Sequence, residues 1–320
     1  MSDLSSANLK LHGHSIKEKA KELGFAACGF ARAEQVDEKN ADSFKGWLKK
    51  DYHGKMGYMA NHMDMRLDPR ILVPGAKSVI SLAFNYHQKG FQPSGAFYKI
   101  SQYAAGIDYH LVLKKKLYAL LQFIQHKTDA GPARVFTDSA PVLERYWAQM
   151  AGIGSIGKNS CLILPRKGSF FFLAEIILGT ELPYDQPMDK DLCGACTRCI
   201  AACPTGAITA PGIINASKCI SYLTIELKEA IADEFHGKMN QYVFGCDICQ
   251  NVCPHNTRFA EPANEKDFEA LPAVARWEKH EWESLDKPAF RQNFVKTRSP
   301  IARAKYEKLM GNIQMASRAG

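Results

Sequence analysis

The spacing of apolar and polar residues predicts alternating helices and strands over roughly the first 186 residues. "SIKEKAKELG" has helical periodicity and should end at Gly24, and "YHLVLKKKLYALLQFIQH" is a longer amphipathic helix with a basic face. Three apolar runs rich in strand formers predict strands: "SVISLAFNY", "ARVFTD" and "SFFFLAEIIL". Pro141 is placed to begin a helix that runs to Gly152 in "PVLERYWAQMAG". These elements predict an α+β protein with an α/β N-terminal domain.

A glycine-rich stretch, "GIGSIGKN", matches G-x-G-x-x-G and nearly matches a P-loop. Both nucleotide-binding motifs need a strand before the glycines and a helix after them. Here a helix comes first, and the extended "SCLILP" follows. Asn159 also replaces the hydroxyl that would hold magnesium. We therefore expect this loop to bring its backbone close to some other flat or anionic group.

The ten cysteines are the strongest chemical signal in the chain. The run "CGACTRCIAACP" reads C-x2-C-x2-C-x3-C-P, the pattern of bacterial ferredoxins, in which the fourth thiolate ligates the other cluster. "CDICQNVCP" lacks one cysteine of a second such run, and Cys219 can supply it. The crossed pattern predicts two [4Fe–4S] clusters with four ligands each: Cys193, Cys196, Cys199 and Cys253 for cluster one, and Cys203, Cys219, Cys246 and Cys249 for cluster two.

Two alternatives apply to these cysteines. Structural zinc also uses C-x2-C pairs, although the third cysteine and the double C-P ending disfavour it. Cys28 and Cys161 lie outside the pattern and are expected to act as small buried hydrophobic residues.

Composition and charge narrow the class of protein. Hydrophobic residues make up 46% of the 320 positions, which is ample for a core, and the N-terminus lacks the apolar segment of a signal peptide. The longest apolar run, "FFFLAEIILG", is too short to span a bilayer. We expect a soluble, cytoplasmic protein without a membrane segment. Because cysteines in a reducing compartment rarely form disulfides, metal or redox chemistry is favoured.

The formal net charge of +8 fits a polyanionic partner such as nucleic acid. The last thirty residues contain seven Lys or Arg and one acid, Glu307. This basic tail is either a solvated helix face or a contact for RNA phosphates.

Two prolines, Pro183 and Pro187, mark a boundary before the cysteine-rich module, which ends near His255. The predicted domains are residues 1–186, a ferredoxin-like domain at 187–258, and a helical basic extension at 259–320.

Several separate stretches together resemble the epoxyqueuosine reductase family: "RLDPRILVPGAKSVI", "ISQYAAGIDYH", "FTDSAPVLERYWAQMAGIGSIGKNS", the cysteine block with "CISYLTIE", and "SPIARAKYEKLMGNI". Members are cobalamin-dependent iron–sulfur enzymes that reduce epoxyqueuosine at the tRNA wobble position to queuosine. The resemblance implies cobalamin, two [4Fe–4S] clusters and a cobalamin-binding N-terminal domain like that of reductive dehalogenases. It also implies a tRNA with a G-U-N anticodon and a low-potential electron donor. We expect a monomer with a shorter helical extension than longer members have.

The resemblance also assigns roles to individual residues. Asp138, in "TDSAP", matches the proposed proton donor, which needs a raised pKa; the alternative is a helix N-cap. Cobalamin contacts are expected at Arg66, Tyr103, Asp138, Lys158, Asn159, Ser221 and Asp247, with ordinary surface ion pairs as the alternative for the charged residues. The tRNA contacts are expected at Arg298, Arg303 and Lys305. His110 is expected to be a hydrogen-bonded helix-end histidine rather than a cobalt ligand.

Three other functions remain possible from sequence: a ferredoxin-type electron carrier, a reductive dehalogenase-like enzyme acting on a small molecule, and a tRNA-binding protein with structural clusters. The first would bind neither cobalamin nor tRNA. The second class normally carries a twin-arginine export signal, which "MSDLSSANLK" does not resemble.

Overall fold

The computed structural model describes residues 2–317, with side chains for residues 11–317. Its strands are β1 (Ala27–Arg32), β2 (Ser78–Asn85), β3 (Lys99–Ile100), β4 (Ala133–Phe136), β5 (Ser155–Ile156), β6 (Leu162–Ile163), β7 (Phe171–Leu178), β8 (Ile208–Ala210), β9 (Ile213–Ile214) and β10 (Tyr242–Phe244). Its α-helices are α1 (Ser2–Glu22), α2 (Glu38–Lys49), α3 (Met63–Leu67), α4 (Pro69–Leu72), α5 (Tyr109–Lys127), α6 (Glu144–Met150), α7 (Arg198–Ala202), α8 (Ile220–Ile225), α9 (Ile248–Asn251), α10 (Pro254–Phe259), α11 (Pro272–Arg276), α12 (Lys279–Glu283), α13 (Lys287–Phe290) and α14 (Lys305–Ser317).

A four-stranded sheet of order β1-β2-β7-β4 organises the first half of the chain. The three strands predicted from the apolar runs are β2, β4 and β7. All three pairings are antiparallel, and β2 pairs with β7 from Ser78–Leu178 to Asn85–Phe171. The fold therefore contains both helices and an antiparallel sheet, as the α+β prediction states. The sheet of the N-terminal part is not, however, the parallel sheet that the term α/β usually denotes.

Helices cover both faces of this sheet because the central strands are apolar on both faces. On one face α1 and α5 pack through Ile16, Leu113 and Leu117 against Ile80 and Ile176. On the other face α6 packs, and Trp147 of α6 lies in a cluster with Val79 and Ile177. Alternate residues of β2 and β7 thus enter opposite cores, as the period of two in a strand requires.

The predicted stop of the first helix is confirmed, and the predicted start of a later one is wrong. α1 ends at Glu22, and Gly24 has φ +93°, the left-handed conformation that favours glycine at a helix end. α6 begins at Glu144 and not at Pro141. The intervening residues form a tight turn in which the Val142 N–H donates to the Ala140 carbonyl at 2.8 Å.

The cysteine-rich module joins the rest of the molecule through backbone pairing and a second hydrophobic core. β10 of the module pairs in parallel with β3, and Lys99 lies opposite Tyr242. The core beneath this pairing combines residues from three parts of the chain: Tyr98, Ile100, Val243, Phe244, Val274, Trp282, Phe294, Ile301 and Ile313. The division into three domains remains a prediction, since these segments share one core.

Buried amides reinforce the same junction. Asn256 accepts the Ser169 N–H at 2.6 Å, which links α10 to the residues before β7. Asn312 of α14 donates to the carbonyls of Thr224 and Val243 at 2.8 and 2.9 Å. Because each buried amide satisfies backbone groups of another segment, the module is held in one orientation.

In the part of the chain that the structure describes, no helix is both long and apolar enough to cross a bilayer.

Gly29 of β1 lies where the sheet meets the end of α6, and a Cβ atom there would stand 2.0 Å from the Ala151 carbonyl oxygen. We expect Gly29→Ala to destabilise the protein by about 1–3 kcal/mol, because backbone must shift to admit the methyl group. The matched control is Gly46→Ala in α2, where a Cβ meets nothing within 4 Å; it should be stabilising by about 0.5–1 kcal/mol. Anaerobic thermal melting of both variants tests this, and equal melting temperatures would contradict it.

Candidate active site

Four thiols of the module line one cavity of about 130 Å³. They belong to Cys193, Cys196, Cys199 and Cys253, the set that the crossed pattern assigns to cluster one. Helix α7 carries Cys199, and α10 begins directly after Cys253, so the two cysteine groups meet at this cavity. Burial raises the pKa of the Cys253 thiol, and the neighbouring Cys193 and Cys196 add to this.

The other four thiols, Cys203, Cys219, Cys246 and Cys249, form a second group. Burial raises the pKa of Cys219 to about 11, and Cys249 and Cys203 contribute to that rise. Burial also raises the pKa of Cys246, again with contributions from Cys219 and Cys249. These four side chains thus lie within electrostatic reach of one another. α7 packs against α9, which brings the two thiol groups side by side.

Backbone N–H groups point at several of these thiols. The Lys158 N–H donates to Cys193 Sγ at 3.4 Å, and the Ala207 N–H donates to Cys203 Sγ at 3.3 Å. Such donors stabilise negative charge on sulfur and are one of the influences that set cluster potentials. Lys158 belongs to the "GIGSIGKN" stretch, so this loop approaches an anionic group with its backbone, in line with the expectation above. The stretch is part of the β5–β6 hairpin and not of a nucleotide-binding turn.

Asp138 lies in the loop between β4 and α6 and has φ +55°. It does not cap a helix, so the N-cap alternative is wrong. Its Oδ2 accepts the hydroxyl of Tyr109 at 2.5 Å, and His110 Nε2 lies 3.6 Å from the same oxygen. Its backbone N–H donates to Glu144 Oε1 at 2.5 Å. The chain itself leaves the Asp138 side chain 50% exposed, so it does not supply the burial expected of a proton donor.

Two carboxyl groups lie behind this loop, the half-buried Glu144 and the fully buried Glu175. Burial raises the pKa of Glu144 to about 8, and the charge of Asp138 adds to the rise. Glu175 of β7 is completely buried, and burial raises its pKa well above the ordinary value, with Glu144 adding to the effect. Near neutral pH Glu175 is therefore held mainly in the neutral form.

Histidine and tyrosine at the start of α5 orient the Asp138 carboxylate. His110 Nδ1 lies 2.7 Å from Asp108 Oδ1, and the His110 N–H donates to the same oxygen, so His110 is a hydrogen-bonded helix-end residue as predicted. The Tyr109 ring stacks on Phe172 at 4.1 Å between centroids. Its hydroxyl is thereby held toward Asp138.

Tyr103 stands between Asp138 and the cysteine module. Burial raises the pKa of its hydroxyl; Arg303 opposes the rise, and the carboxylates of Asp138 and Asp247 reinforce it. Tyr103 is thus within electrostatic reach of both carboxylates. Arg303 forms an ion pair with Glu226 at 2.6 Å and holds its charge in the same region. Asp138 and Asp247 are therefore both close to Tyr103.

Asp247 and Ser221 both lie beside thiols of the second group. Asp247 is 2% exposed, accepts the Ser101 hydroxyl at 2.5 Å and accepts the Gln102 N–H at 2.7 Å. Burial raises the pKa of its carboxyl to about 6, although these two hydrogen bonds act to lower it. Ser221 follows Cys219 at the start of α8, and its backbone N–H interacts with the Cys219 thiol.

Arg66 is buried, with 7% of its surface exposed, and is not in an ion pair within the described residues. One guanidinium nitrogen donates to the Tyr58 carbonyl at 3.3 Å, whereas Nε has no hydrogen-bond partner there. Burial lowers the pKa of this guanidinium. A buried N–H without a partner is costly, so this donor fits a polar group of a bound molecule.

Lys158 and Asn159 occupy the other side of the module. Both line the cavity of the first four thiols, where Lys158 Nζ donates to the Gly194 carbonyl at 2.6 Å. Asn159 is 3% exposed and donates to the Cys249 carbonyl at 3.5 Å, between the two thiol groups. The structure thus brings Tyr103, Asp138 and Asp247 together and places Lys158 and Asn159 nearer the first cavity.

The basic residues predicted to meet RNA lie near the same face. The Arg298 carbonyl accepts the Asp108 N–H at 2.8 Å, so this residue adjoins the start of α5. Arg298 and Lys305 are exposed, at φ +57° and +61° respectively.

Sequence reasoning missed three residues that contact Asp138 or its surroundings: Tyr109, Glu144 and Glu226. Tyr109 lies beside the noticed His110, and Glu144 lies inside a recognised helix, but no local pattern distinguishes either. Cys161 was interpreted as a small buried hydrophobic residue, yet it neighbours Cys249 and helps to raise the pKa of that thiol. Cys28 lies in β1 against the main core, as predicted.

Two family models match the chain. Residues 192–256 match a 4Fe-4S double cluster binding domain, and residues 66–139 match the model "Epoxyqueuosine reductase QueG, DUF1730". The first range contains all eight paired cysteines, and the second contains Arg66, Tyr103 and Asp138.

Relatives of known name extend these matches over most of the chain. An epoxyqueuosine reductase of Cyclobacterium marinum is 53% identical over 308 residues, which is 96% of this chain and 97% of the relative. A crystal structure of an epoxyqueuosine reductase with an epoxyqueuosine-modified tRNA-Tyr stem loop superposes with a TM-score of 0.85 at 30% identity, over 95% of this chain and 80% of the other. The Bacillus subtilis enzyme, with its catalytic aspartate loop swung out of the active site, superposes with a TM-score of 0.84 at 30% identity and the same coverage.

Proposed function

The chain belongs to the epoxyqueuosine reductase family, and we propose that it reduces the epoxide of epoxyqueuosine at the tRNA wobble position to give queuosine. Converting an epoxide to an alkene consumes two electrons and two protons and releases water. The observation that carries the proposal is the position of Asp138, an acid that shares the surroundings of Tyr103 with Asp247 beside the thiol module. Family membership sets aside the electron-carrier and dehalogenase-like alternatives.

Two [4Fe–4S] clusters, when bound, would supply electrons one at a time. We assign Cys193, Cys196, Cys199 and Cys253 to cluster one, and Cys203, Cys219, Cys246 and Cys249 to cluster two. The shared cavity of the first set supports this division, and the electrostatic influence of Cys249 on Cys219 and Cys246 supports part of the second set. The packing of α7 against α9 supports electron transfer between the clusters, because it puts a ligand of each near the other.

We propose that cobalamin binds between Asp138 and the second thiol group, in a reductive-dehalogenase-like N-terminal domain. When bound, it supplies the two-electron chemistry at carbon that single-electron clusters lack. The unpartnered Nε of Arg66 and the buried hydroxyl of Tyr103 provide donors for it. Asp247 and Ser221 lie beside the assigned ligands of cluster two, and we assign both residues to the cobalamin site.

Of the two remaining residues, Asn159 is assigned to the cofactor because it lies between the two thiol groups, whereas Lys158 lies in the cavity of the first four thiols.

Asp138 is assigned as the proton donor to the leaving epoxide oxygen. Tyr109 and His110 hold its carboxyl from one side, and Glu144 holds its backbone from the other. A donor needs a raised pKa, and a bound corrin and substrate would exclude water from the half-exposed side chain.

The substrate is a tRNA with a G-U-N anticodon, and Arg298, Arg303 and Lys305 are assigned to its phosphates. Arg298 adjoins the start of α5 and Arg303 lies near Asp138, so both stand beside the assigned donor. We further propose a cytoplasmic monomer that receives electrons from a low-potential donor.

Anaerobic reconstitution tests the proposed function. Protein loaded with iron and sulfide, with and without cobalamin, is assayed on tRNA carrying the epoxide, and queuosine is measured by mass spectrometry of nucleosides. Turnover should require all three components. Equal turnover without cobalamin would refute the cobalamin-dependent reaction, and tRNA binding without turnover in the fully loaded protein would favour the tRNA-binding protein with structural clusters.

A further inference from the structure

The cavity of the first four thiols lies at the surface of the molecule. The residues between its ligands in the first cysteine run are exposed: Gly194, Ala195, Thr197 and Arg198. In the second thiol group, the two residues that flank Cys246 are buried instead, namely Gly245 and Asp247. The first group is therefore the one that a partner protein can approach from outside.

Cationic side chains surround this cavity. Lys158, Arg198 and His255 line it, and none of its lining residues is an aspartate or glutamate. Lys158 Nζ donates to the Gly194 carbonyl at 2.6 Å, which holds its charge over the exposed loop. The adjoining acid, Asp191, accepts two backbone N–H groups of the same loop at 2.8 and 3.1 Å. Positive charge thus predominates at the opening of the cavity.

Helix α10 extends the cationic surface beside the cavity. Pro254 and His255 line the cavity at the start of this helix. Arg258 follows Pro254 at i+4, so its exposed side chain adjoins the cavity. The ring of Phe259, which is 39% exposed, lies 6.5 Å from the ring of His255 between centroids. We define the cluster-one face as Lys158, Arg198, His255, Arg258 and Phe259.

The positive charge of this face is not neutralised by the chain itself. Lys158, Arg198 and Arg258 take part in none of the ion pairs found among residues 11–317. The face thus combines three cations with an exposed aromatic ring, and arginine and aromatic side chains are enriched in protein interfaces. Its charge is complementary to a partner surface that carries carboxylates.

The proposed reaction requires single electrons from outside the chain. Reducing the epoxide consumes two electrons, and iron–sulfur clusters pass one at a time. Residues 152–159, which match a nucleotide-binding motif in sequence, belong to the β5–β6 hairpin and lack the strand–turn–helix that would hold a nicotinamide dinucleotide. A one-electron carrier protein therefore matches both the stoichiometry and the exposed position of the first thiol group.

We propose that the cluster-one face docks an acidic, low-potential one-electron carrier protein, whose carboxylates meet Lys158, Arg198 and Arg258. The inference rests on the proposed function, because it takes the clusters to feed a reduction. In each encounter the carrier loses one electron and a [4Fe–4S]2+ cluster becomes [4Fe–4S]1+, with no bond made or broken. Transient redox complexes bury less than about 1,200 Å² in total, so a small face is sufficient.

RNA is another polyanion that a cationic face could bind. Asp138 and Tyr103, where the modified base must react, are not among the residues that line this cavity. The position of the face beside the first thiol group therefore favours the electron carrier.

The test measures binding of a dye-labelled plant-type [2Fe–2S] ferredoxin, an acidic one-electron carrier, to the fully loaded enzyme by fluorescence anisotropy. For Arg258→Glu, Kd should rise about 10-fold at about 0.05 M salt and approach the wild-type value at about 0.5 M salt, because salt screens the charges. Phe259→Ala should raise Kd about fivefold at both salt concentrations. Turnover driven by reduced methyl viologen, a small donor that needs no docking surface, should stay within about twofold of the wild type in both variants.

The matched control is Lys127→Glu, which makes the same charge change and also lies in the last turn of a helix. It should bind ferredoxin like the wild type. Equal Kd values for Arg258→Glu and this control would overturn the docking face, as would a wild type that does not bind ferredoxin. Loss of viologen-driven turnover in Arg258→Glu would assign the charge to the cluster itself and not to docking.

Two further outcomes separate this inference from its alternatives. If Arg258→Glu weakened binding of a modified anticodon stem loop and left ferredoxin binding unchanged, the face would bind RNA instead. Lack of epoxide reduction by the loaded wild-type enzyme with methyl viologen would count against the proposed function, whereas the ferredoxin Kd values alone decide the docking face.

Discussion

Replacing Asp138 by asparagine is expected to lower turnover of the epoxide about 100- to 10,000-fold, the usual contribution of a general acid. Asparagine has nearly the same shape and accepts the φ of +55° found at this position, so the loop should keep its hydrogen bonds to Tyr109 and Glu144. What it removes is the ionisable proton. The iron, sulfide and cobalamin contents should therefore match those of the wild type.

Single-turnover assays on modified tRNA, together with metal and cobalamin analysis, check this result. The matched control is Asp51→Asn, an exposed aspartate with φ +53° after α2, which undergoes the same chemical change in the same backbone conformation. The control should retain full turnover. If Asp138→Asn also retained full turnover with its cofactors bound, the role of Asp138 as proton donor would be wrong.

Removing cluster ligands in pairs should reveal which cysteines share a cluster. In the crossed arrangement, Cys193→Ala/Cys253→Ala removes two ligands of cluster one, so the protein should keep about four of its eight irons. Cys193→Ala/Cys203→Ala removes one ligand from each cluster and should leave almost no cluster iron. Turnover should fall to background in both variants, because one-electron delivery is interrupted.

Iron and sulfide analysis and the EPR signals of the dithionite-reduced proteins distinguish the two outcomes. If the clusters followed the order of the sequence, the results would be exchanged: the first pair would lose both clusters and the second would keep one. Cys28→Ala, in β1 against the main core, serves as the control for loss of a thiol and should keep all eight irons. Zinc in place of iron in the wild-type protein would refute both arrangements.

The elements that sequence predicted best are those whose periodicity is local. The apolar runs of β2 and β7 and the amphipathic pattern of α5 are written in consecutive residues, and the structure has each within a few positions. The start of α6 was misplaced because Pro141 fits the first turn of a helix equally well as the turn that precedes one. The helix starts at Glu144, whose carboxyl group accepts the Asp138 N–H. The position of a proline in the sequence does not predict this contact.

In the candidate site, too, features that depend on local sequence were predicted and features that depend on distant contacts were not. Cysteine spacing predicts chemistry because the run C-x2-C-x2-C-x3-C-P lies within consecutive residues, although Cys219 stands alone between the two runs. The partners of Asp138 could not be predicted this way, since Tyr109 is 29 positions away in sequence and meets it only after α5 packs on the sheet. The unpartnered Nε of Arg66 depends on burial by several segments, which no single stretch encodes. The second core was missed for a similar reason, because β3 and β10 are too short to produce a pattern.

The left-handed backbone at residue 138 restricts which amino acids evolution can place there. Glutamate is a single base change from aspartate, but it lacks the short side chain that lets aspartate tolerate positive φ. Its extra methylene would also carry the carboxyl group beyond the hydroxyl of Tyr109. Glycine would suit the backbone and asparagine would suit both shape and backbone, yet neither carries a proton to give. A lineage that drifts from aspartate at this codon thus keeps the loop and loses the acid, or keeps an acid and distorts the loop.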